Sequence, residues 1–264
     1  MNAPETSALI HSAPPRGISD AEWRARCDLA ALYRVAAMQG WGDLLATHIS
    51  ARVPDQRDHF LINPYGLLFE EITASNLVKV DEHGNIRSET EHIINPAGFV
   101  IHSCIHVARQ DVDCVMHLHT RDGNAVATQK RGLLPITQHA LIIYSQIAYH
   151  DFEGPALDPD EQQRLVADLG ERNIMILRNH GTLTAGRTVG EAFVLMYRIE
   201  RACRMQIAAQ SGGEELNPLP QEVIDKSIAC GREIFSRAGF GGEGQREWEA
   251  MLRKLARDGS DHAR

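Results

Sequence analysis

The segment NPAGFVIHSCIHVARQDVDCVMHLHT, residues 95–120, contains a change of period around which the rest of the chain can be read. Asn95 and Pro96 suit the cap and first position of a helix, and AGFVIHSCIHVAR continues it. VDCVMHLH then reads as a strand. Alternate residues of a strand share a face, with β-carbons about 7 Å apart, so His117 and His119 project together while Leu118 turns to the core. Two ring nitrogens side by side can serve one divalent transition metal if a third ligand arrives from elsewhere. The same pair can equally be half-buried histidines satisfied by hydrogen bonds. His180, in LRNHGT at the end of the strand NIMILRN, is the candidate third ligand, with Asn179 and Gly181 permitting a tight turn. Three protein ligands would leave an open coordination position. His102 and His106, spaced i, i+4 on one helix face, form a rival pair. They lack the Glu of an HExxH arrangement, so packing or polar capping is expected of them.

Outward from this segment, helices and strands alternate irregularly. Ser19 and Glu22 have capping-box spacing and open a helix that runs to Gly40. Between Ala46 and Ser88 come the strand-like pieces ATHISAR, HFLINP and NLVKVD, with a hairpin turn at Asp81-Glu82-His83-Gly84. A helix is expected around 121–130, and LIIYSQIAYH at 141–150 is a β-rich run. Asp158, Pro159 and Glu161 start a helix that stops at Gly170. Thr188 and Glu191 open a long amphipathic helix through Ser211, and two further helical patterns, 220–238 and 245–257, are split by GFGGEG. This order predicts a single layered α/β domain over residues 18–211. Residues 1–17 read as a flexible arm, and 212–264 as a helical extension packed on the same domain.

Composition bounds the function. The chain has 264 residues, 43% hydrophobic and 23% charged, with a formal net charge of -8. An acidic excess argues against nucleic-acid or anionic-membrane partners and leaves a small-molecule substrate or other proteins. Five widely spaced cysteines without a CxxC pair read as reduced thiols. No leader pattern and no membrane-length apolar run is evident, so the cytoplasm is the expected location.

Taken in order, GWGDLLATHISARVP (40–54), INPYGLLFEEIT (62–73), the segment at 95–120, YHDFEG (149–154) and LRNHGTLTAG (177–186) resemble the class II aldolase/adducin family. EWEAMLRKLAR (247–257) is similar to the tails of its adducin-like bacterial branch. The resemblance implies a three-layer αβα sandwich with a mainly antiparallel central sheet, assembled as a homotetramer with sites near subunit boundaries. It also implies a divalent metal, usually Zn2+, with Mn2+, Fe2+ or Co2+ in some relatives, held by His117, His119 and His180. Departures from the family pattern bear on the substrate. Gly98 stands where an acidic proton-handling residue is usual, Thr47-His48 replaces the Gly-Asn phosphate loop, and Pro96-Ala97 replaces paired serines; a proline offers phosphate no N–H. An unphosphorylated substrate, or none, is therefore expected, with Thr47 and His48 in its pocket or, equally, His48 hydrogen-bonded within the sheet. Tyr144, Tyr149, His139 and His150 are the candidate proton donors. Glu200, on the apolar stripe of its helix, is expected to pair with Arg178 or Arg201.

Three functions fit. One is a metal-dependent lyase that breaks a carbon–carbon bond, by retro-aldol reaction or decarboxylation, in a small hydroxy-carbonyl or aromatic carboxylate compound. The others are a non-catalytic adducin-like assembly protein and an iron-dependent oxygenase on the same fold.

Overall fold

Seven strands, β1 (His48–Val53), β2 (Gln56–Ile62), β3 (Val78–Asp81), β4 (Cys114–Leu118), β5 (Ile147–His150), β6 (Ile174–Leu177) and β7 (Gly181–Gly186), form one sheet ordered β3-β2-β1-β4-β7-β6-β5. This is a computed structural model describing residues 14–154, 159–236, 239 and 244–264. Every neighbouring pair is antiparallel except β5 with β6. The strands β1, β4, β6 and β7 are buried along their whole length, which requires cover on both faces.

That cover makes three layers. On one face α1 (Asp20–Met38) and α6 (Val189–Ser211) supply Leu29, Leu32, Val35, Met196 and Ile199 against Ile49, Met116, Leu118, Ile174 and Ile176. The short α3 (Arg121–Ala127) and α4 (Gln138–Leu141) lie against α6, as does α8 (Gln245–Arg257) through Trp248. α7 (Gln221–Ile234) packs beside α4. On the other face α2 (Pro96–Ala108) and α5 (Pro159–Leu169) bring Ile101, Ile105, Leu165 and Leu169 onto Val115, Met175, Leu183 and Ala185. The expected αβα sandwich is therefore present, with a mostly antiparallel sheet.

Local chemistry explains where the chain follows its sequence and where it departs. Ser19 Oγ accepts the Glu22 N–H at 3.1 Å and starts α1, but the Glu22 carboxylate turns away from a reciprocal cap to meet Arg26 and Lys79, each at 2.9 Å. The Asp81 carboxylate accepts the His83 and Asn85 N–H groups at 2.9 Å and closes the expected turn. The run 141–150 is only partly strand. Thr137 caps a helical turn that ends at Leu141, Tyr144–Gln146 is a 3-10 turn, and the strand starts at Ile147. The turns carry the adjacent Ala140 and Leu141 both into the core, which a straight strand with one buried face would not do. β7 was not foreseen, because the alternation in Thr182-Leu183-Thr184-Ala185 is only four residues long and lies between glycines; pairing with β4 and β6 on its two sides makes it a strand. Residues 1–13 of the expected arm, Asp158 and residues 237–238 lie outside the described residues. Among those described, all five cysteines are free thiols, and no helix is long and apolar enough to cross a membrane.

Tyr33 joins α1 to the sheet at the point that matters for the site. Its buried hydroxyl accepts the Ile49 N–H at 2.8 Å and the Asn63 N–H at 3.3 Å, and has Ile49 O and Asn63 Oδ1 as acceptors for its own proton. Tyr33→Phe leaves these groups buried without a partner, so urea denaturation is expected to show a loss of about 1–3 kcal/mol.

Candidate metal centre and its cavity

The β1–β4 register places His48 directly opposite His117, so both side chains project from the α2 face of the sheet. His119 lies one residue beyond the end of β4, and His180 sits in the turn between β6 and β7, where Asn179 adopts a positive φ of 57°. A side chain at Gly181 would meet Leu118 O at 2.4 Å and the His119 ring at 3.1 Å. The turn can press His180 against the HxH pair only because residue 181 has no Cβ.

The three imidazoles converge. Their ring centroids lie 4.8, 4.8 and 4.9 Å apart, and one nitrogen from each falls within 4.8 Å of the others. His117 Nδ1 lies 3.1 Å from Thr182 O, and His119 Nδ1 lies 3.1 Å from Asp43 Oδ2. Both partners can only accept, so each Nδ1 carries its proton. The two Nε2 atoms then face each other at 3.0 Å. Only a positive species keeps two such nitrogens together, either a proton or a metal ion. A proton satisfies two nitrogens; the third ring matches the higher coordination of a metal. Metal–nitrogen bonds of about 2.0–2.1 Å at tetrahedral angles would hold the nitrogens about 3.3 Å apart, within the range this cluster spans. The donor set thus fits a divalent ion such as zinc.

Burial, followed by the neighbouring histidines, holds His117 well below the usual imidazole range. Burial and His119 lower His180 to about 4. Both rings therefore stay neutral near pH 7. Behind them, Glu200 receives hydrogen bonds from Thr182 Oγ1 at 2.9 Å and from Thr120 Oγ1. Burial pushes its carboxyl up to about 7. The expected ion pair is absent: Arg178 instead meets Asp151 at 3.2 Å and stacks over Tyr149, while Arg201 is exposed. Two hydroxyls, from the segments just after His119 and His180, take the place of a cation at Glu200.

A cavity of about 190 Å³ adjoins the three rings, lined by Ala46, His48, Asn95, Gly98, Ile101, Phe152 and Gly154 as well. His48 is 3% exposed, and neither of its ring nitrogens has a hydrogen-bond partner. Burial and His119 lower it to about 4. Further along the same face, Ser50 Oγ lies 2.7 Å from His102 Nδ1 and 2.8 Å from His106 Nε2. Past these, Arg52 donates to the His106, Arg109 and Val112 carbonyls at 2.6, 3.2 and 3.1 Å. His102 and His106 thus share one hydroxyl, the polar packing expected of them.

A family model described as Class II Aldolase and Adducin N-terminal domain matches residues 27–207. The chain belongs to the class II aldolase and adducin family. It is similar to the crystal structure of an aldolase II superfamily protein from Pseudomonas syringae, at 52% identity and a TM-score of 0.89, over 94% of this chain and 98% of that one. It is similar to the L-fuculose 1-phosphate aldolase of Glaciozyma antarctica, at 25% identity and a TM-score of 0.79, over 95% and 96%. It is also 41% identical to the alpha-adducin of Rattus norvegicus over 87% of this chain, which spans 32% of that protein.

Within this family fold the remaining sequence candidates take definite places. Thr47 is wholly buried between Ala46 and His48, and its hydroxyl has no partner among the described residues. Tyr144, Tyr149, His139 and His150 are not among the residues lining the cavity. Tyr149 OH accepts the Leu133 N–H at 3.1 Å, and burial raises its pKa. His150 is held by Asp168 at 2.7 Å. His139 sits on α4, held below its ordinary value by burial and by Arg198 and Arg201. Tyr144 packs against the core. Sequence reasoning missed Asp43, Thr182 and Phe152. Asp43 stands 76 positions before His119, so no local spacing in the sequence ties the two.

Four fully buried neutral rings, His48, His102, His106 and His117, make the metal-free fold sensitive to acid. The unfolded chain takes up protons below about pH 6.5, while burial lowers His48 to about 4 and His106 to about 3 and holds His102 and His117 well below their ordinary value. Their contribution is therefore complete above 6.5 and lost as pH falls, at about 1.4 kcal/mol per pH unit for each ring. Circular dichroism of chelator-treated protein is expected to show cooperative unfolding on acidification below the ordinary imidazole range, with His102→Gln moving the midpoint lower.

Proposed function

We propose that the protein is a metal-dependent lyase cleaving a carbon–carbon bond, by retro-aldol reaction or decarboxylation, in a small unphosphorylated hydroxy-carbonyl or aromatic carboxylate compound. In this reading His117, His119 and His180 hold one divalent ion, Zn2+ foremost, and the chain works in the cytoplasm as a homotetramer. The observation that carries it is the pair of Nε2 atoms facing each other at 3.0 Å beside a third imidazole.

A bound ion supplies Lewis-acid polarisation of a carbonyl group. The chain's own residues do the rest. Asp43 and the Thr182 carbonyl fix two rings with Nε2 inward, an arrangement that sets ligand orientation in metal sites generally. Ile101 and Phe152 give the cavity apolar wall, and His48 offers it hydrogen-bonding nitrogens. Among the described residues the lining includes no lysine or arginine. A phosphate dianion would lack a cationic partner there, which supports an unphosphorylated substrate. Phe152 is 53% exposed, and Leu44, next to Asp43, is 76% exposed with a positive φ of 46°. Apolar side chains presented this way support a contact between subunits. The identity to alpha-adducin favours a second reading, an assembly module in which the ion is dispensable.

Elemental analysis of the native protein is expected to find about one divalent ion per chain, and His117→Ala, His119→Ala and His180→Ala are each expected to lose it. Retention of metal by all three would refute the ligand assignment. Asp43→Ala is expected to weaken metal affinity about 10–100-fold, with Asp43→Asn between that and the parent, measured by competition with a chromophoric chelator. A screen of sugar phosphates against hydroxy acids and aromatic carboxylates under anaerobic conditions should give turnover only with the unphosphorylated compounds. Efficient turnover of a sugar phosphate would overturn the substrate class, a need for oxygen would indicate an iron oxygenase, and a metal-free chain with no turnover would favour the assembly role.

A further inference from the structure

His48 is an unusual wall for a cavity. It is 3% exposed, yet both of its ring nitrogens are without a partner, although buried polar groups are nearly always hydrogen-bonded. The other polar side chains on this face of β1 are engaged: Ser50 with two histidine rings, and Arg52 with the carbonyls that end α2. His48, the member at the cavity end, is the exception.

Its ring also occupies ground that would otherwise belong to α2. A Cβ at Gly98 would lie 2.3 Å from His48 Nδ1 and 2.4 Å from its Cε1. Positions 48 and 98 are thus mutually exclusive: the ring fits only where the helix carries no side chain. With Gly98, His102 and His106 at i, i+4 and i+8, the face of α2 is bare where His48 inserts and polar where Ser50 meets it. His102, its ring centroid 6.1 Å away and edge-on, backs the inserted ring. Since His48 and His117 are cross-strand partners, the inserted ring stands beside the three imidazoles and shares one cavity with them.

We propose that His48 is the specificity-determining residue of this cavity, donating its ring N–H to a second oxygen of a small chelating hydroxy or keto acid whose other oxygens face the three histidines, and that Gly98 is required to seat it. This rests on the metal-site reading above. No bond is made or broken by the contact; it selects ligands that present an acceptor beside their metal-binding oxygens. A neutral donor at this place suits an acceptor oxygen held next to the metal-binding ones.

Oxalate and the Co2+-substituted protein test it. Visible absorption of Co2+ reports metal affinity, and its perturbation by oxalate reports ligand affinity. His48→Leu and Gly98→Ala are each expected to keep Co2+ affinity within about threefold while weakening oxalate about tenfold or more, and His48→Gln to recover much of that loss. With the ring already removed, Gly98→Ala added to His48→Ala should cost nothing further, whereas independent effects would multiply. In the unaltered Zn2+ protein, oxalate should shift the His48 ring 15N resonances, a reading that needs no variant. Unchanged oxalate affinity in the His48 variants, or unmoved resonances, would overturn the proposal while leaving the metal site standing. Failure of the unaltered protein to bind Co2+ would instead overturn the metal-site reading and this inference with it.

Discussion

Two imidazole nitrogens aimed at each other across 3.0 Å, each turned inward by an acceptor behind it, are the constraint around which the rest is built. Left alone, this arrangement is unfavourable, and an isolated pair of side chains would rotate away from it. It persists because the backbone is fixed on all sides. β4 is paired with β1 and β7, Gly181 lets the next turn close over the pair, and Thr182 belongs to a strand bonded on both edges. Folding energy from a large apolar core is thereby used to hold polar groups in a geometry they would not choose.

The same trade recurs on the α2 face. Where helix meets sheet, apolar contact is the norm, but here histidines, a serine and an arginine interlock beside Ile101 and Ile105. A half-satisfied polar network is costly in low dielectric. Ser50 accommodates two rings with one hydroxyl because it can donate to one and accept from the other. At the cavity end it is His48 that has neither ring nitrogen satisfied, while His102 and His106 each keep one bond to Ser50.

Much of this was legible from sequence, for physical reasons that differ by element. Period-two spacing in CVMHLHT is enough to put His117 and His119 on one side, and the strand ending in Asn179-His180 gave the third ring. Caps at Ser19 and Thr188 located the long helices because a side-chain oxygen three residues before an acid has few other uses. β7 was missed because its strand character comes from its neighbours and not from GTLTAG itself. Glu200 was recognised as out of place on an apolar stripe, yet its partners, two threonine hydroxyls from other segments, cannot be told from the many other hydroxyls in a sequence. Asp43 was invisible for a related reason: a loop acid acquires meaning only when the fold sets it behind a ring. The exclusion between His48 and Gly98 involves two residues fifty positions apart, and nothing local to either hints at it.

Arg52 has a mechanical consequence. By binding the His106 and Arg109 carbonyls at the C-terminal end of α2 and the Val112 carbonyl beyond it, it pins that helix to the sheet at the extremity remote from the ligand chamber. The depth at which α2 lies on β1 is thereby set from its far end, and with it the clearance between Gly98 and the inserted ring.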